Sequence, residues 1–270
     1  MKVGVLGNST INKDTEGTVE ELLAFLASNG YEAVRFSTHT EIDGVNVVLV
    51  LGGDGAILHA AVIAAQKGIK IIGINYGTLG FLTEYERAER TRVKELLDAL
   101  KTGTCRIVKR SLLQVEIDGE QYYGLNEISL QRAYGKLGDT LPQILSLEVE
   151  AKEGVDDISG DGILICTPTG STAYSLSAGG AIITPEVPVF MLTPICAFSM
   201  RARPIVFADT DEFSIRVKKG KGIVLVDGGV VSASLPEGAV IRVKKAPFTA
   251  DFPVKESAGF LARVRNKLNG

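Results

Sequence analysis

A glycine-rich turn that carries a single aspartate, Gly52-Gly53-Asp54-Gly55, has the residue types needed for chemistry at a phosphate group. It follows the apolar run 45–51 and opens a helical pattern, where backbone N–H groups at a helix start can receive phosphate oxygens. The carboxylate of Asp54 would repel phosphate, so it suits a general base or a carboxylate linked to magnesium. The alternative is a tight turn in which Asp54 only caps the helix.

A second candidate is the hydroxyl-rich segment from Thr167 to Ser175, which begins where the apolar run 163–166 breaks at Pro168. Five of its residues are Ser or Thr, more than one capped turn requires. The segment therefore predicts a dense source of hydroxyl and amide hydrogen bonds for a polar ligand. The simpler alternative is a Ser/Thr-rich capped turn before a short helix.

A polar pair, Asn126-Glu127, interrupts an apolar run between these two segments. An Asn side chain can hydrogen-bond two edges of a base or ribose, and a Glu carboxylate can accept from ribose hydroxyls. Taken alone, the pair is more typical of an edge strand that faces water. Its neighbours along the chain are what favour a binding role.

The elements that must position these residues alternate between strand and helix over the first third of the chain, which is typical of an α/β fold. Because the strand ending at Leu51 and the strand ending at Ile74 are both followed by polar loops, we expect both loops at the ligand-binding edge of one open sheet. The elements predicted there are strands Lys2–Gly7, Val45–Leu51 and Ile69–Ile74, helices Thr18–Ser28, Ile57–Gln66 and Arg92–Lys101, and the loop Asn75–Gly80.

Beyond Lys101 the pattern changes to short β-rich runs separated by turn residues. The predicted strands are Leu112–Ile117, Gln121–Tyr123, Ile144–Glu150, Ile163–Cys166, Phe213–Val217, Gly222–Val226 and Ala239–Lys244, with hairpin turns at Asp118-Gly119 and Asp227-Gly228. A helix is predicted over Phe260–Leu268. We therefore expect an N-terminal α/β domain over residues 1–104, a β-rich domain over 105–250, and a segment 251–270 that packs back on the first domain.

Composition excludes several function classes. The net charge of −3 is spread over interspersed residues, which argues against nucleic acid as a partner, and no window approaches membrane-spanning length, so a cytoplasmic protein is expected. The scattered Cys105, Cys166 and Cys196 suggest reduced core thiols and no metal site. Only His39 and His59 are present, which leaves little for a zinc site or a Ser/His/Asp triad.

The combination of motifs resembles the NAD kinase family over most of the chain. The resemblance rests on Gly52–Gly55, Gly73-Ile74-Asn75 with Gly80-Phe81-Leu82-Thr83, Asn126-Glu127, the segment Thr167–Tyr174, and Arg203-Pro204-Ile205-Val206. The first motif also resembles that of diacylglycerol and sphingosine-type lipid kinases and of phosphofructokinases. The long Thr/Ser/Tyr segment distinguishes this chain from those families.

The resemblance implies an enzyme that moves the terminal phosphate of ATP, or of another donor, onto the 2′-hydroxyl of the adenosine ribose of NAD. It further implies a homodimer or homotetramer, a divalent cation such as Mg²⁺ bridging donor phosphates, and a Rossmann-like α/β domain followed by a β-sandwich-like domain, with NAD held between the two. Asp54 would accept the proton. The residues implied to bind NAD are Asp54, Gly55, His59, Phe81 on the adenine side, Asn126, Glu127, Asp161, Thr169, Thr172, Ala173, Tyr174, Ser175, Leu176 and Ser177.

Some positions depart from the family pattern. Ala56 stands where Thr is common, which removes a hydroxyl contact to phosphate, and Gly229 stands where Gln is frequent, which puts one NAD contact in doubt. His59 matches a position that is often basic, and the alternative is a solvated helix residue without a ligand. Because the chain lacks a P-loop lysine motif, donor binding depends on the Gly52–Gly55 loop and a metal ion.

Three other functions stay open at this point. A lipid or sugar kinase would use the same glycine-aspartate loop, but the chain has no apolar surface helix for a lipid acceptor. A non-catalytic dinucleotide sensor would not need Asp54. An oxidoreductase is disfavoured because the first strand ends in Gly4-Val5-Leu6-Gly7-Asn8-Ser9, without the Gly-x-Gly-x-x-Gly that a dinucleotide-binding unit uses.

Overall fold

The computed structural model describes residues 1–7, 14–76, 80–133, 144–254 and 259–268. The chain divides into two compact units. Unit 1 consists of Met1–Arg110 together with Phe248–Gly270, and unit 2 consists of Ser111–Pro247. No helix in the described ranges is long and apolar enough to span a membrane.

Unit 1 is built on a parallel five-stranded sheet in the order β2-β1-β3-β4-β5. Its strands are β1 Lys2–Gly7, β2 Glu32–Phe36, β3 Val47–Gly52, β4 Lys70–Asn75 and β5 Tyr85–Glu86, and its helices are α1 Asp14–Ser28, α2 Asp54–Gln66, α3 Arg90–Thr102 and α5 Phe260–Leu268. The Val/Leu run of β3 is buried along nearly its whole length, as expected for a central parallel strand. The strand-to-helix alternation confirms the predicted α/β class for this part of the chain.

Unit 2 contains most of two six-stranded sheets, in the orders β10-β9-β14-β17-β6-β7 and β13-β12-β11-β8-β15-β16. The strands are β6 Arg106–Ile117, β7 Glu120–Gly124, β8 Glu127–Arg132, β9 Leu145–Ala151, β10 Gly154–Gly160, β11 Gly162–Cys166, β12 Val189–Ile195, β13 Ile205–Ala208, β14 Phe213–Lys219, β15 Gly222–Val226, β16 Gly229–Leu235 and β17 Val240–Val254, with a short helix α4 Tyr174–Ser177. One apolar core combines residues of both sheets, so the β-rich, sandwich-like expectation is confirmed.

The two predicted hairpin turns are present. Asp118 and Asp227 have φ of 51° and 47°, and the glycines that follow have φ of 85° and 81°, so both central residues of each turn are left-handed. That geometry matches the twist of the strands that each turn joins.

Two expectations were wrong, one about the burial of the cysteines and one about where a helix begins. The thiol of Cys196 is exposed and only that of Cys166 is fully buried, so the three cysteines are not all core residues. The helix after the glycine-rich turn begins at Asp54 and not at Ile57. The middle of the predicted loop Asn75–Gly80 lies outside the described residues.

Candidate functional site

The turn between β3 and α2 places Asp54 as the first residue of the helix. Gly53 is the N-cap residue, and no side chain caps the helix there. The alternative in which Asp54 serves only as the cap is therefore wrong. Its carboxylate turns instead toward the loop that follows β4.

The carboxylate of Asp54 is held by backbone N–H groups of that loop. Phe81 N donates to Oδ2 over 2.8 Å and Leu82 N donates to Oδ1 over 2.9 Å. The loop can approach so closely because residue 80 is glycine: a Cβ there would lie 1.9 Å from Asp54 Oδ1. Each carboxylate oxygen keeps a further lone pair, so the group is fixed in place and can still accept from a substrate hydroxyl.

A lysine that the sequence analysis did not identify lies beside this carboxylate. The ammonium nitrogen of Lys267, on α5, is 3.6 Å from Asp54 Oδ2 and 4.4 Å from the centre of the Phe81 ring. The ring of Phe260, at the start of the same helix, lies 6.5 Å from the Phe81 ring. No local pattern marked Lys267, because its partner is remote in sequence.

His59 lies on α2, exposed, with its ring stacked on that of His39 at a centroid distance of 5.4 Å. Burial of His39, and after it the neighbouring His59 ring, lower the pKa of His39 below its ordinary value. The two histidines of the sequence therefore form one pair. Within the described ranges, no group of three or more His, Cys, Asp or Glu residues is arranged so that it could hold a metal ion.

In unit 2 the Asn126-Glu127 turn is ordered by Asp227. The carboxylate of Asp227 accepts from the backbone N–H groups of Leu125, Asn126 and Glu127 over 2.7, 2.8 and 3.0 Å. The sequence pattern predicts only a hairpin role for Asp227. The Asp227-Gly228 pair predicted the turn, but nothing local in the sequence indicated the long-range hydrogen bonds.

Glu127 is buried, with 7% of its surface exposed, on a strand that lies between two others. The alternative of an edge-strand pair facing water is therefore wrong. Within the described structure its Oε2 atom has no hydrogen-bond partner. Burial, and after it the charge of Asp227, raise the pKa of Glu127 from 4.5 to about 7. A buried carboxylate oxygen without a partner is suited to receive a ligand hydroxyl.

The hydroxyl-rich segment packs directly against this turn. Thr167 donates from its backbone N–H to Asn126 O and from its hydroxyl to Leu125 O, over 2.9 and 2.6 Å. At Gly170 a Cβ would lie 2.1 Å from Asn126 O. Unit 2 thus brings together Asn126, Glu127 and the start of the segment, as a shared ligand site requires.

Part of the hydroxyl density serves the fold of unit 2. Ser171 donates to Pro168 O and accepts from Ile183 N, and Ser175 shares a hydrogen bond with Thr193 over 3.2 Å. The remaining implied residues differ in exposure: Thr169 is buried, Thr172, Ala173 and Leu176 are half-buried, and Tyr174 and Ser177 are exposed. Counting hydroxyls therefore overstated how many are available to a ligand.

Asp161 lies away from this cluster in a single chain. Its carboxylate pairs with Arg132 Nε over 2.9 Å. The strand register matches Gly162 with Gln131 and Cys166 with Glu127, so Asp161 and Glu127 lie at opposite ends of the β8–β11 pair. At ~3.3 Å per residue that separation is about 16 Å.

Comparison with known proteins covers both units. Residues 6–105 match the ATP-NAD kinase N-terminal domain and residues 125–253 match the ATP-NAD kinase C-terminal domain. The NAD kinase of Carboxydothermus hydrogenoformans is 36% identical over 231 residues, which is 83% of this chain and 79% of the relative. That of Methanothermobacter thermautotrophicus is 33% identical and covers 99% of this chain and 96% of the relative.

Two solved structures share the fold. A yeast NADH kinase complexed with NADH superposes with a TM-score of 0.83 at 22% identity, covering 100% of this chain and 88% of the other. An NAD kinase from Archaeoglobus fulgidus in complex with ATP gives a TM-score of 0.79 at 23% identity, covering 100% and 99%.

Proposed function

The chain belongs to the NAD kinase family and phosphorylates NAD, and we propose that Asp54 accepts the proton of the acceptor hydroxyl. The observation that carries this proposal is a carboxylate fixed by two backbone N–H groups with lone pairs to spare. A ribose hydroxyl is a poor nucleophile until a positioned base takes its proton in the transition state. Asp54 meets that requirement.

In the proposed reaction the 2′-oxygen of the adenosine ribose forms a bond to the terminal phosphorus of ATP. The bond from that phosphorus to the bridging oxygen breaks, and its electron pair leaves with ADP. The proton of the 2′-hydroxyl passes to Asp54 and then to solvent.

An endpoint assay with NAD, ATP and Mg²⁺, read by an NADP-specific dehydrogenase, tests the reaction. Binding of NAD without NADP from any phosphate donor would favour the dinucleotide sensor.

Mg²⁺ enters the proposal as part of the donor substrate. Such ions are commonly held by one or two carboxylates plus substrate phosphates. We propose Asp54 as the base and not as a direct ligand of the cation, because the positive charge of the Lys267 ammonium lies 3.6 Å from Oδ2. We therefore propose that the cation is bound by the donor phosphates. No step of the proposed reaction uses a metal ion held by the protein.

Contacts to the dinucleotide are proposed within each unit separately. Support comes from the partnerless Oε2 of Glu127 and from the packing of the hydroxyl-rich segment against Asn126. The proposed contacts are Gly55, His59 and Phe81 in unit 1 and Asn126, Glu127, Asp161, Thr169, Thr172, Ala173, Tyr174, Ser175, Leu176 and Ser177 in unit 2. Because Ser175 is fully buried and bonded to Thr193, its contact would come from the backbone.

Affinity for NAD is expected to rise about tenfold between pH 6 and pH 8. The pKa of Glu127 is about 7, so the ionised fraction increases from about a tenth to about nine-tenths over that range. An ionised carboxylate accepts a stronger hydrogen bond from a ribose hydroxyl than a protonated one. Titration calorimetry in buffers of different ionisation enthalpy should also show release of about half a proton per NAD bound near pH 7, where about half of the Glu127 carboxyl groups are protonated.

The matched variant Glu127→Gln should bind NAD with an affinity that does not change over the same pH range. Glu153→Gln, an exposed position in the turn between β9 and β10, should keep the parent profile. A parent affinity that is flat from pH 6 to pH 8 would show that Glu127 does not receive the ligand in its ionised form.

We propose that the chain forms a homodimer or homotetramer. Support comes from Phe198 and Met200, whose surfaces are 82% and 87% exposed next to the edge strand β13. The turn that carries them borders Asp161: Phe198 N donates to Ser159 O, and Asp161 N donates to Ile195 O. In a dimer formed through this surface, we propose that Asp161 of one chain lies near the binding residues of the second chain. Within one chain, Asp161 and Glu127 lie at opposite ends of the β8–β11 pair.

The double variant Phe198→Asp/Met200→Asp should therefore shift the chain to a monomer in light scattering after size exclusion. Burying a charged side chain in an apolar contact is costly, so the change acts on assembly. The control is Val230→Asp, an apolar position that is 59% exposed on β16, the opposite edge of the same sheet. A parent that is already a monomer would disprove the proposal.

We place the enzyme in the cytoplasm, where NAD and nucleotide donors are both available. The three cysteines are free in the structure, which suits a reducing compartment. Fractionation of cells that express the protein tests this location.

A further inference from the structure

We infer that Lys267 contacts the phosphoryl group as it moves to the acceptor hydroxyl. The inference deepens the proposed function and rests on the role of Asp54 as proton acceptor. Its starting point is the ion pair between the Lys267 ammonium and Asp54 Oδ2, at 3.6 Å.

Geometry places the ammonium within reach of the reacting atoms. A hydroxyl that gives its proton to Asp54 must lie within about 3 Å of the carboxylate. Lys267 Nζ is 3.6 Å from Oδ2, so an acceptor oxygen that is bonded to Oδ2 lies at most about 7 Å from Nζ before any side-chain movement. The flexible four-carbon stem of lysine can shorten that distance when phosphate arrives.

The positive charge of Lys267 can offset the negative charge of Asp54, a role that no other side chain described here near Asp54 fills. A carboxylate alone would repel the phosphates of an incoming donor, and the chain has no P-loop lysine. Lys267 offsets that charge at the place where the phosphoryl group must approach. Arg263, on the same helix, is instead directed to Glu84 at 3.7 Å.

The surroundings of Lys267 hold it in position and leave it accessible. Its ammonium lies over the ring of Phe81, the residue whose N–H also fixes Asp54. Its side chain is 31% exposed, so a phosphate oxygen can replace the carboxylate as its partner. A lysine that exchanges an acidic partner for a phosphate acts as a mobile point charge.

Lys267→Met should lower kcat about 100-fold, as expected for loss of a charged group that stabilises a transition state. The Kd for NAD, measured by calorimetry, should stay within twofold, which also shows that the variant is folded. Lys267→Arg should recover part of the rate. Arg265→Met, which removes an exposed charge from the same helix, should leave both quantities unchanged.

Three results would overturn the inference: a kcat in Lys267→Met within threefold of the parent, an equal loss in Arg265→Met, or an acidic limb of the kcat–pH profile that moves while the plateau stays. In the last case Lys267 would be a positioning residue that acts through Asp54, without contact to the phosphoryl group. Asp54→Asn is assayed in parallel. Turnover lost in Asp54→Asn but kept in Lys267→Met rejects the lysine assignment alone, whereas turnover kept in Asp54→Asn rejects the proton-acceptor proposal itself.

Discussion

Replacing Asp54 with asparagine is expected to lower kcat by about 100- to 10,000-fold, the range that general-base catalysis contributes. Asparagine keeps the shape of the side chain and one oxygen that can accept from a backbone N–H, but it cannot take a proton from the ribose hydroxyl. The other N–H, from Phe81 or Leu82, loses its acceptor, which costs about 1–3 kcal/mol of stability if it stays buried.

The measurement pairs initial rates of NADP formation with the Kd for NAD by calorimetry. NAD affinity within a few-fold of the parent would assign the loss to the chemical step. Asp156→Asn, an exposed carboxylate in unit 2, serves as the matched control and should behave as the parent does. Turnover within a factor of a few in Asp54→Asn would remove Asp54 from the role of base.

Replacing Gly170 with alanine is expected to lower kcat/KM for NAD by about 100-fold, comparable to a 1 Å misplacement of binding groups. The new Cβ would lie 2.1 Å from Asn126 O and 2.5 Å from Asn126 C, so backbone must move. The atoms displaced belong to the turn that presents Asn126 and Glu127. Overpacking of this kind also costs about 1–3 kcal/mol, which predicts a melting temperature several degrees lower.

The control is Gly259→Ala, where a Cβ would meet no atom within 4 Å and should change neither quantity. The two effects of Gly170→Ala are separated by measuring kcat at saturating NAD. A variant that melts like the parent and binds NAD equally well would show that the Asn126 turn tolerates the shift and does not set NAD affinity.

The sequence was sufficient to predict the elements around Asp54 because their signals are local. A continuous Val/Leu run marks β3, and glycines followed by helical spacing mark α2. The helix Phe260–Leu268 and the strand Gly222–Val226 were also predicted with the bounds that the structure gives. By contrast, β12 was not predicted, since Pro194 interrupts its apolar run and a proline usually argues against a central strand.

What the sequence could not provide is the set of contacts between residues remote along the chain. Asp227 orders a turn about one hundred residues earlier, and Lys267 pairs with a carboxylate near the other end of the sequence. Neither residue type is unusual where it stands. Burial of Glu127 was missed for a related reason, because a single acidic residue in an apolar run looks the same on an edge strand and on a central one.

The split of unit 1 into Met1–Arg110 and Phe248–Gly270 has a consequence for how the protein is made on the ribosome. Unit 2 is translated as one uninterrupted stretch, so it can fold while the chain is still growing. The strand-helix unit that carries Asp54 must wait until α5 emerges before Lys267 can join it. Nascent chains should therefore form the Asn126-Glu127 turn before Lys267 can pair with Asp54, and chaperones would meet unit 1 as an unfinished domain.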